Sequence, residues 1–161
     1  MKKKILFIAS LDSIHTLRWI NFFLKLNYEV SVISLKKKNE LYQFSNKVNL
    51  FIYDKFKNKF LNFLYCFFII LSKRNYFSNH DMVHVHYLGF NALVSLLLKN
   101  QNIILTPWGD DIKINKKNFL KKIFLKIIFK KSKAIITDSK EIKKLIISTF
   151  GNIESTFYFI N

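Results

Sequence analysis

Eight side chains in this sequence have the types and spacing to hold or polarise a small polar substrate. They are Asp12, His15, His84, His86, Tyr87, Trp108, Asp110 and Asp111. His84 and His86 alternate, so on a strand their rings point to the same side. There they serve as strand-capping core residues, as hydrogen-bonding or polarising groups for a substrate, or as two ligands of a metal. The metal reading needs a third ligand, Asp110 or Asp111, and no CxxC, HExxH or zinc-type spacing supports it. No metal is therefore expected. Asp110-Asp111 follows Gly109, where a turn and helix cap accounts for one aspartate and leaves the other for substrate. Trp108 packs in the core or forms a stacking platform for a ring. Asp12 and Ser13 compete as cap of the helix that comes next. His15, near that helix start, is expected to be neutral and to face the same cleft, because a helix N-terminus disfavours a cation.

Two buried strands have to deliver these groups. Met82–Val85 is a short apolar run stopping at His84-Val85-His86-Tyr87, and Asn102–Thr106 is a second one ending at Pro107-Trp108-Gly109-Asp110-Asp111. In an open α/β sheet, ligands bind beyond the carboxyl ends of the strands. His86 and Asp111 are thus expected close together and partly exposed in one cleft. Upstream, Lys4–Ala9, Tyr28–Leu35 and Val48–Tyr53 read as strands, with helices at Ile14–Leu26 and Lys55–Lys73 and a polar loop at Arg74–His80. Downstream come helices from about Gly89 to Lys99, over Asn118–Lys131 and over Glu141–Thr149, the last capped by Ser139 and closed by Gly151. Lys133–Thr137 and Ser155–Ile160 are the remaining strands. Alternation of this kind predicts an α/β domain, with a mostly parallel sheet and helices on both faces.

In Asn118–Lys131 the residues Phe119, Leu120, Ile123, Phe124, Ile127 and Ile128 form one apolar stripe, expected to face the core. Lys117, Lys121, Lys122, Lys126 and Lys130 lie off it.

With 161 residues one domain is expected, and 50% apolar content excludes a disordered chain. The lone cysteine, Cys66, sits in an apolar run and fits a buried thiol in a reducing, cytoplasmic compartment. The net charge of +17, from 27 Lys+Arg against 10 Asp+Glu, points to an anionic partner: phosphorylated substrate, anionic lipid or nucleic acid. A compositional bias toward Lys, Asn, Ile and Phe offers a second origin for that charge. Phe60–Leu71, interrupted only by Asn62, would reach about 18 Å as a helix, too short for roughly 30 Å of hydrocarbon. It is a core or interfacial helix. Neither GxGxxG nor GxxxxGK[ST] occurs, which disfavours a dinucleotide enzyme or a P-loop NTPase.

Four stretches, taken in order, carry a family resemblance. KKILFIAS…HTLRWINFFLKLNYEVSVIS, DMVHVHYLGFNAL, ILTPWGDDI and AIITDSKEIKKLI resemble the N-terminal domain of GT-B glycosyltransferases of family 4. The resemblance implies one half of a GT-B fold: a Rossmann-like three-layer domain over residues 1–161 that mainly binds acceptor. It places His86 nearest the transferred sugar, as the catalytic candidate, and matches Asp111 to the family aspartate. Asp110 stands where Ser or Thr is usual, and Ser10-Leu11-Asp12-Ser13 replaces a Gly-Gly pair that touches the donor diphosphate in many members. Ser155–Asn161 resembles the strand before the crossover into a second Rossmann-like domain, which bears the nucleotide-sugar site and a Glu-x7-Glu motif. That domain is expected to join in cis or in trans.

The reaction expected from this resemblance is retaining transfer from a nucleotide-diphosphate sugar, without metal, to a cell-surface glycan or lipid-linked acceptor. The setting would be cytoplasmic, at an anionic inner membrane face. Asp12, His15, His84, Tyr87, Trp108, Asp110 and Asp111 are the substrate-binding candidates. The alternatives are a non-catalytic subunit that completes a transferase with a partner chain, and a basic nucleic-acid-binding domain. The last is disfavoured by the lack of an RNP1-type aromatic-basic motif.

Overall fold

The computed structural model describes residues 2–99, 102–116, 118–151 and 153–159. The strands are β1 (Lys4–Ile8), β2 (Glu29–Ser34), β3 (Val48–Ile52), β4 (Met82–His86), β5 (Ile103–Thr106), β6 (Ser132–Thr137) and β7 (Thr156–Phe159). The helices are α1 (Ile14–Lys25), α2 (Lys59–Ser72), α3 (Arg74–Ser78), α4 (Phe90–Leu96), α5 (Asp110–Asn115), α6 (Phe119–Lys131) and α7 (Lys140–Phe150). The strands form one parallel sheet in the order β3-β2-β1-β4-β5-β6-β7. Order reverses between β1 and β4, and a crevice opens beyond the carboxyl ends at such a switch point.

Side-chain alternation along the central strands builds two cores. Ile5, Phe7, Val30 and Val32 pack with Ile20 and Phe23 of α1 on one face. Leu6, Ile8, Val83 and Val85 face the other way, onto Cys66 and Ile70 of α2, Ala92 and Val94 of α4, and Ile128 and Phe129 of α6. The continuous apolar run Ile5–Ile8 of β1 is what a strand covered on both faces requires. Ile160, expected in the last strand, and Lys117, counted with the basic helix, lie outside the described residues.

Several element boundaries depart from the sequence reading, each for a local reason. The second helix begins at Lys59, not Lys55, because the Asn58 side chain caps it by accepting from the Phe60 and Leu61 N–H groups. The loop before it is tied to Asn62, whose Oδ1 accepts from the N–H groups of Lys55 (3.0 Å) and Phe56 (2.7 Å). Its Nδ2 donates to Asp54 Oδ1 at 2.7 Å. The one polar residue in the apolar run is therefore a buried anchor. Arg74–Ser78, expected as loop, is a short helix: Phe77 is enclosed and packs on Phe51 at 5.1 Å between ring centroids. The largest departure is α6. It buries Leu125, Ile128 and Phe129, while Phe119, Leu120, Ile123, Phe124 and Ile127 of the expected stripe face out.

Burial pushes the Cys66 thiol up to about 12, so little thiolate exists near neutral pH. A disulfide exchange reagent at pH 8 should leave native protein unlabelled and label one thiol per chain in denaturant. Rapid labelling of the native protein would show that α2 does not seal this core.

Candidate functional site

A cavity of about 810 Å³ opens at the carboxyl ends of the strands. Its wall comes from the β1–α1 loop (Ser10, Asp12, Ser13) and Thr16, from Lys36 after β2, and from His86 and Tyr87 at the end of β4. Trp108 and Asn115 close the β5 side, and Lys59 of α2 and Lys121 of α6 reach the rim. A neighbouring cavity of about 730 Å³ is lined by His15, Arg18, Asp110, Thr137 and Asp138. Tyr87 and Trp108, 5.8 Å apart between ring centroids, border both.

His84 and His86 do point to one side, their rings 4.5 Å apart against Phe7 and Trp19. Their depth differs from expectation: His86 is 1% exposed rather than half-open. The parallel neighbours β1 and β5 and the Trp19 ring leave only its edge toward the cavity. His84 lies one layer further in, shares a 2.7 Å hydrogen bond between Nε2 and Thr106 Oγ1, and lines neither cavity. Burial, then the neighbouring His86, holds His84 well below the ordinary imidazole range. Burial, then the proximity of His15, lowers His86 to about 3. Both rings are therefore neutral at physiological pH.

Among the described residues neither ring nitrogen of His86 has a hydrogen-bond partner, and neither does Thr16 Oγ1, another buried atom of the cavity wall. Buried polar atoms are nearly always paired. Two such residues at one cavity wall hold unpaired donors and acceptors, each atom almost wholly enclosed.

Asp111, expected to be partly exposed beside His86, is fully enclosed. Its Oδ2 accepts from the Leu88 N–H at 2.5 Å, and Oδ1 from Trp108 at 3.1 Å and Ile112 at 2.9 Å. The carboxylate thus ties the loop after β4 to the loop after β5. Asn115, one turn on, donates from Nδ2 to Leu88 O and Asp111 O, both at 2.7 Å, and Asn91 Nδ2 donates to His86 O at 2.8 Å. These bonds hold Tyr87 at φ +54 and Gly109 at φ +87, in the left-handed region. A residue other than glycine rarely sits there, so Tyr87 is held by its surroundings. Asn115, Asn91 and Thr16 escaped the sequence reading; an Asp-x-x-x-Asn pair after a glycine turn was the available signal.

The remaining candidates separate. Asp12 is exposed and pairs with Lys36 at 2.6 Å at the cavity edge. Burial raises its pKa, but the bonds from Lys36 and Ser10 outweigh that, and the net shift is downward. His15 is on the second cavity, not the first, its ring 5.2 Å from that of Trp108. Asp110 is exposed on that same cavity, near Lys113 at 3.8 Å. Among the described residues no three His, Cys, Asp or Glu side chains converge as a metal site.

Burial pushes the Asp111 carboxyl up to about 6 from 3.8, against the backbone N–H groups of Leu88, Trp108 and Ile112, which pull it down. The folded state then binds this proton more tightly than the unfolded state, so ionising Asp111 costs stability as pH rises through that window. In denaturant melts, the advantage of wild type over Asp111→Asn should shrink between pH 4 and pH 7, by up to about 3 kcal/mol. An advantage that grows with pH would show that the N–H donors outweigh burial. Asp111→Ala strands three N–H groups and should cost at least about 3 kcal/mol.

No curated protein matches the chain in sequence. Among solved structures, a segment of sucrose-phosphate synthase from Thermosynechococcus elongatus superposes with a TM-score of 0.66 over 98% of this chain and 88% of that one. At 11% identity that likeness shows the fold, the Rossmann-like half of a GT-B glycosyltransferase. The sequence profile described as Glycosyl transferase 4-like matches residues 4–139, from the first strand through the cap of the last helix. This span includes every candidate residue above, and the chain belongs to the Glycosyl transferase 4-like family, as an N-terminal domain of it.

Proposed function

We propose that this chain is the acceptor-side domain of a retaining glycosyltransferase that takes a sugar from a nucleotide-diphosphate sugar. The acceptor is a cell-surface glycan or a lipid-linked saccharide at the cytoplasmic membrane face. Family membership supports the reaction class. The observation that carries the assignment to this cavity is the pair of unpartnered His86 nitrogens beside Thr16 Oγ1 at the switch point of the sheet.

A neutral imidazole offers one N–H donor and one lone pair. A sugar carries several hydroxyls, each both acceptor and donor, so one accepts from the N–H while another donates to the lone pair. With its pKa near 3, His86 is no proton donor at neutral pH; it orients the transferred or accepting sugar by hydrogen bonds. Tyr87 and Trp108 supply aromatic walls on which a pyranose ring can stack. The acceptor hydroxyl forms the new glycosidic bond at the anomeric carbon while the bond to the diphosphate breaks, and the hydroxyl proton passes to the departing diphosphate oxygen. Charge on the departing diphosphate is stabilised by a second Rossmann-like domain, which holds the nucleotide; no metal is required. Asp111 and Asn115 act on the reaction only by fixing the loops that carry His86, Tyr87 and Trp108.

The isolated 161-residue chain should fold but transfer no sugar, because catalysis needs donor and acceptor held in near-attack geometry. Adding a donor-binding Rossmann-like domain, in cis or in trans, should restore product. His86→Ala should then lower kcat/KM by about 10–100-fold, measured below the melting temperature of the variant, which loses the ring packed against Phe7 and Trp19. The pH profile between 5 and 8 should keep its shape in the variant, because the ring is neutral throughout. Turnover by the chain alone, or a limb near pH 6.5 that disappears with His86, would contradict the assignment.

A further inference from the structure

Helix α6 is apolar on two sides. Its inner side, Leu125, Ile128 and Phe129, is buried. Its outer side, Phe119, Leu120, Ile123, Phe124 and Ile127, is between 40% and 75% exposed. The helix contains no acidic residue. Lys122, Lys126 and Lys130 are exposed along one edge of the outer stripe, and among the described residues none of the α6 lysines is in an ion pair.

The apolar surface does not end at this helix. Lys121 Nζ lies 5.9 Å over the Phe90 ring at the start of α4, Phe90 stacks on Phe63 of α2 at 4.7 Å, and Phe63 neighbours Phe60 at 6.4 Å. Phe60 and Leu61 are exposed in turn, preceded by Lys55, Lys57 and Lys59. Phe124 and Lys121 also line the cavity that holds His86, so the mouth of that cavity opens within the same surface.

We propose that the outer stripe of α6, continued by the first turn of α2, docks this domain onto an anionic lipid bilayer. Contiguous exposed apolar surface marks an interaction site, and charge chooses the partner. A second copy of the chain would bring two unpaired lysine sets together on a protein that already carries +17. An anionic bilayer instead takes Phe, Leu and Ile at the headgroup–acyl boundary while lysines extend to the phosphates. At 13 residues, α6 is about 20 Å long and lies in the interface plane. No helix among the described residues is long and apolar enough to cross a membrane. The docking stands independently of the sugar-transfer reading, and its test involves no transfer.

The full chain should float with phosphatidylglycerol vesicles and not with phosphatidylcholine vesicles, and high salt should release it. Phe119→Ser/Leu120→Ser should weaken partition at least about tenfold, and Lys122→Gln/Lys126→Gln/Lys130→Gln about a hundredfold. Circular dichroism melts confirm that each variant is folded. In Leu120→Trp, brominated acyl chains should quench the added tryptophan. Equal flotation with both vesicle types, unchanged partition of the Ser variant, or an unquenched Trp would overturn the proposal. So would a dimer in vesicle-free solution that the Ser variant dissociates. Duplex DNA that binds tightly and displaces the protein from vesicles would assign the charge to nucleic acid instead.

Discussion

One buried carboxylate positions most of what this domain offers a ligand. Asp111 sits at the start of a six-residue helix, and its two oxygens accept from Leu88, Trp108 and Ile112. The Leu88 and Trp108 N–H groups come from two loops at the ends of adjacent strands, and the Ile112 N–H from the helix itself. Without such an acceptor, each buried donor would lose its bond to water and gain nothing. The loops would have to open to recover it. Held together, they carry Tyr87 in a backbone conformation it would not adopt freely, turn its ring toward Trp108, and leave His86 at the base of the cavity between them. Asn115 repeats the tie through its side-chain amide. The bonds of Asp111 are all internal; the exposed partner beside it, Asp110, is the one that meets solvent.

Much of the fold was legible in the sequence because the physics behind it is local. The unbroken apolar run of β1 and the alternation of His84 with His86 in β4 need only strand geometry to be read. The Ser139 cap at the start of α7 was legible for the same reason: its hydroxyl accepts from Ile142 N–H within one turn. What escaped depends on partners distant in the chain. Arg74–Ser78 became helical because Phe77 found a pocket beside Phe51, a contact that no window around residue 77 contains. The lysine-flanked stripe of α6 misled for a different reason. The helix is apolar on two sides, so periodicity alone could not say which of them meets the sheet.

The site was legible in its residue types and less so in its depths. Strand alternation puts both imidazoles on the α1 face, but only packing by Phe7, Trp19 and the flanking strands encloses them. That enclosure changes the chemistry. An open histidine pair near pH 7 would shuttle protons; this pair is neutral, and one member retains two unpaired nitrogens at a cavity wall. Tyr87, at positive φ, and Trp108 line both cavities and divide the candidates between them, a separation beyond any spacing rule.

The central claim is that His86 is a neutral group kept unpaired for a sugar. Nitrogen-15 NMR of the imidazoles, recorded from pH 8 to pH 4 with and without a soluble acceptor saccharide, tests it most directly. The account predicts that the His86 resonances stay those of a neutral ring over this whole range, since its pKa is about 3, and that they shift when saccharide binds. A His86 ring that titrates near pH 6.5, or one that saccharide leaves unmoved while binding elsewhere, would contradict it.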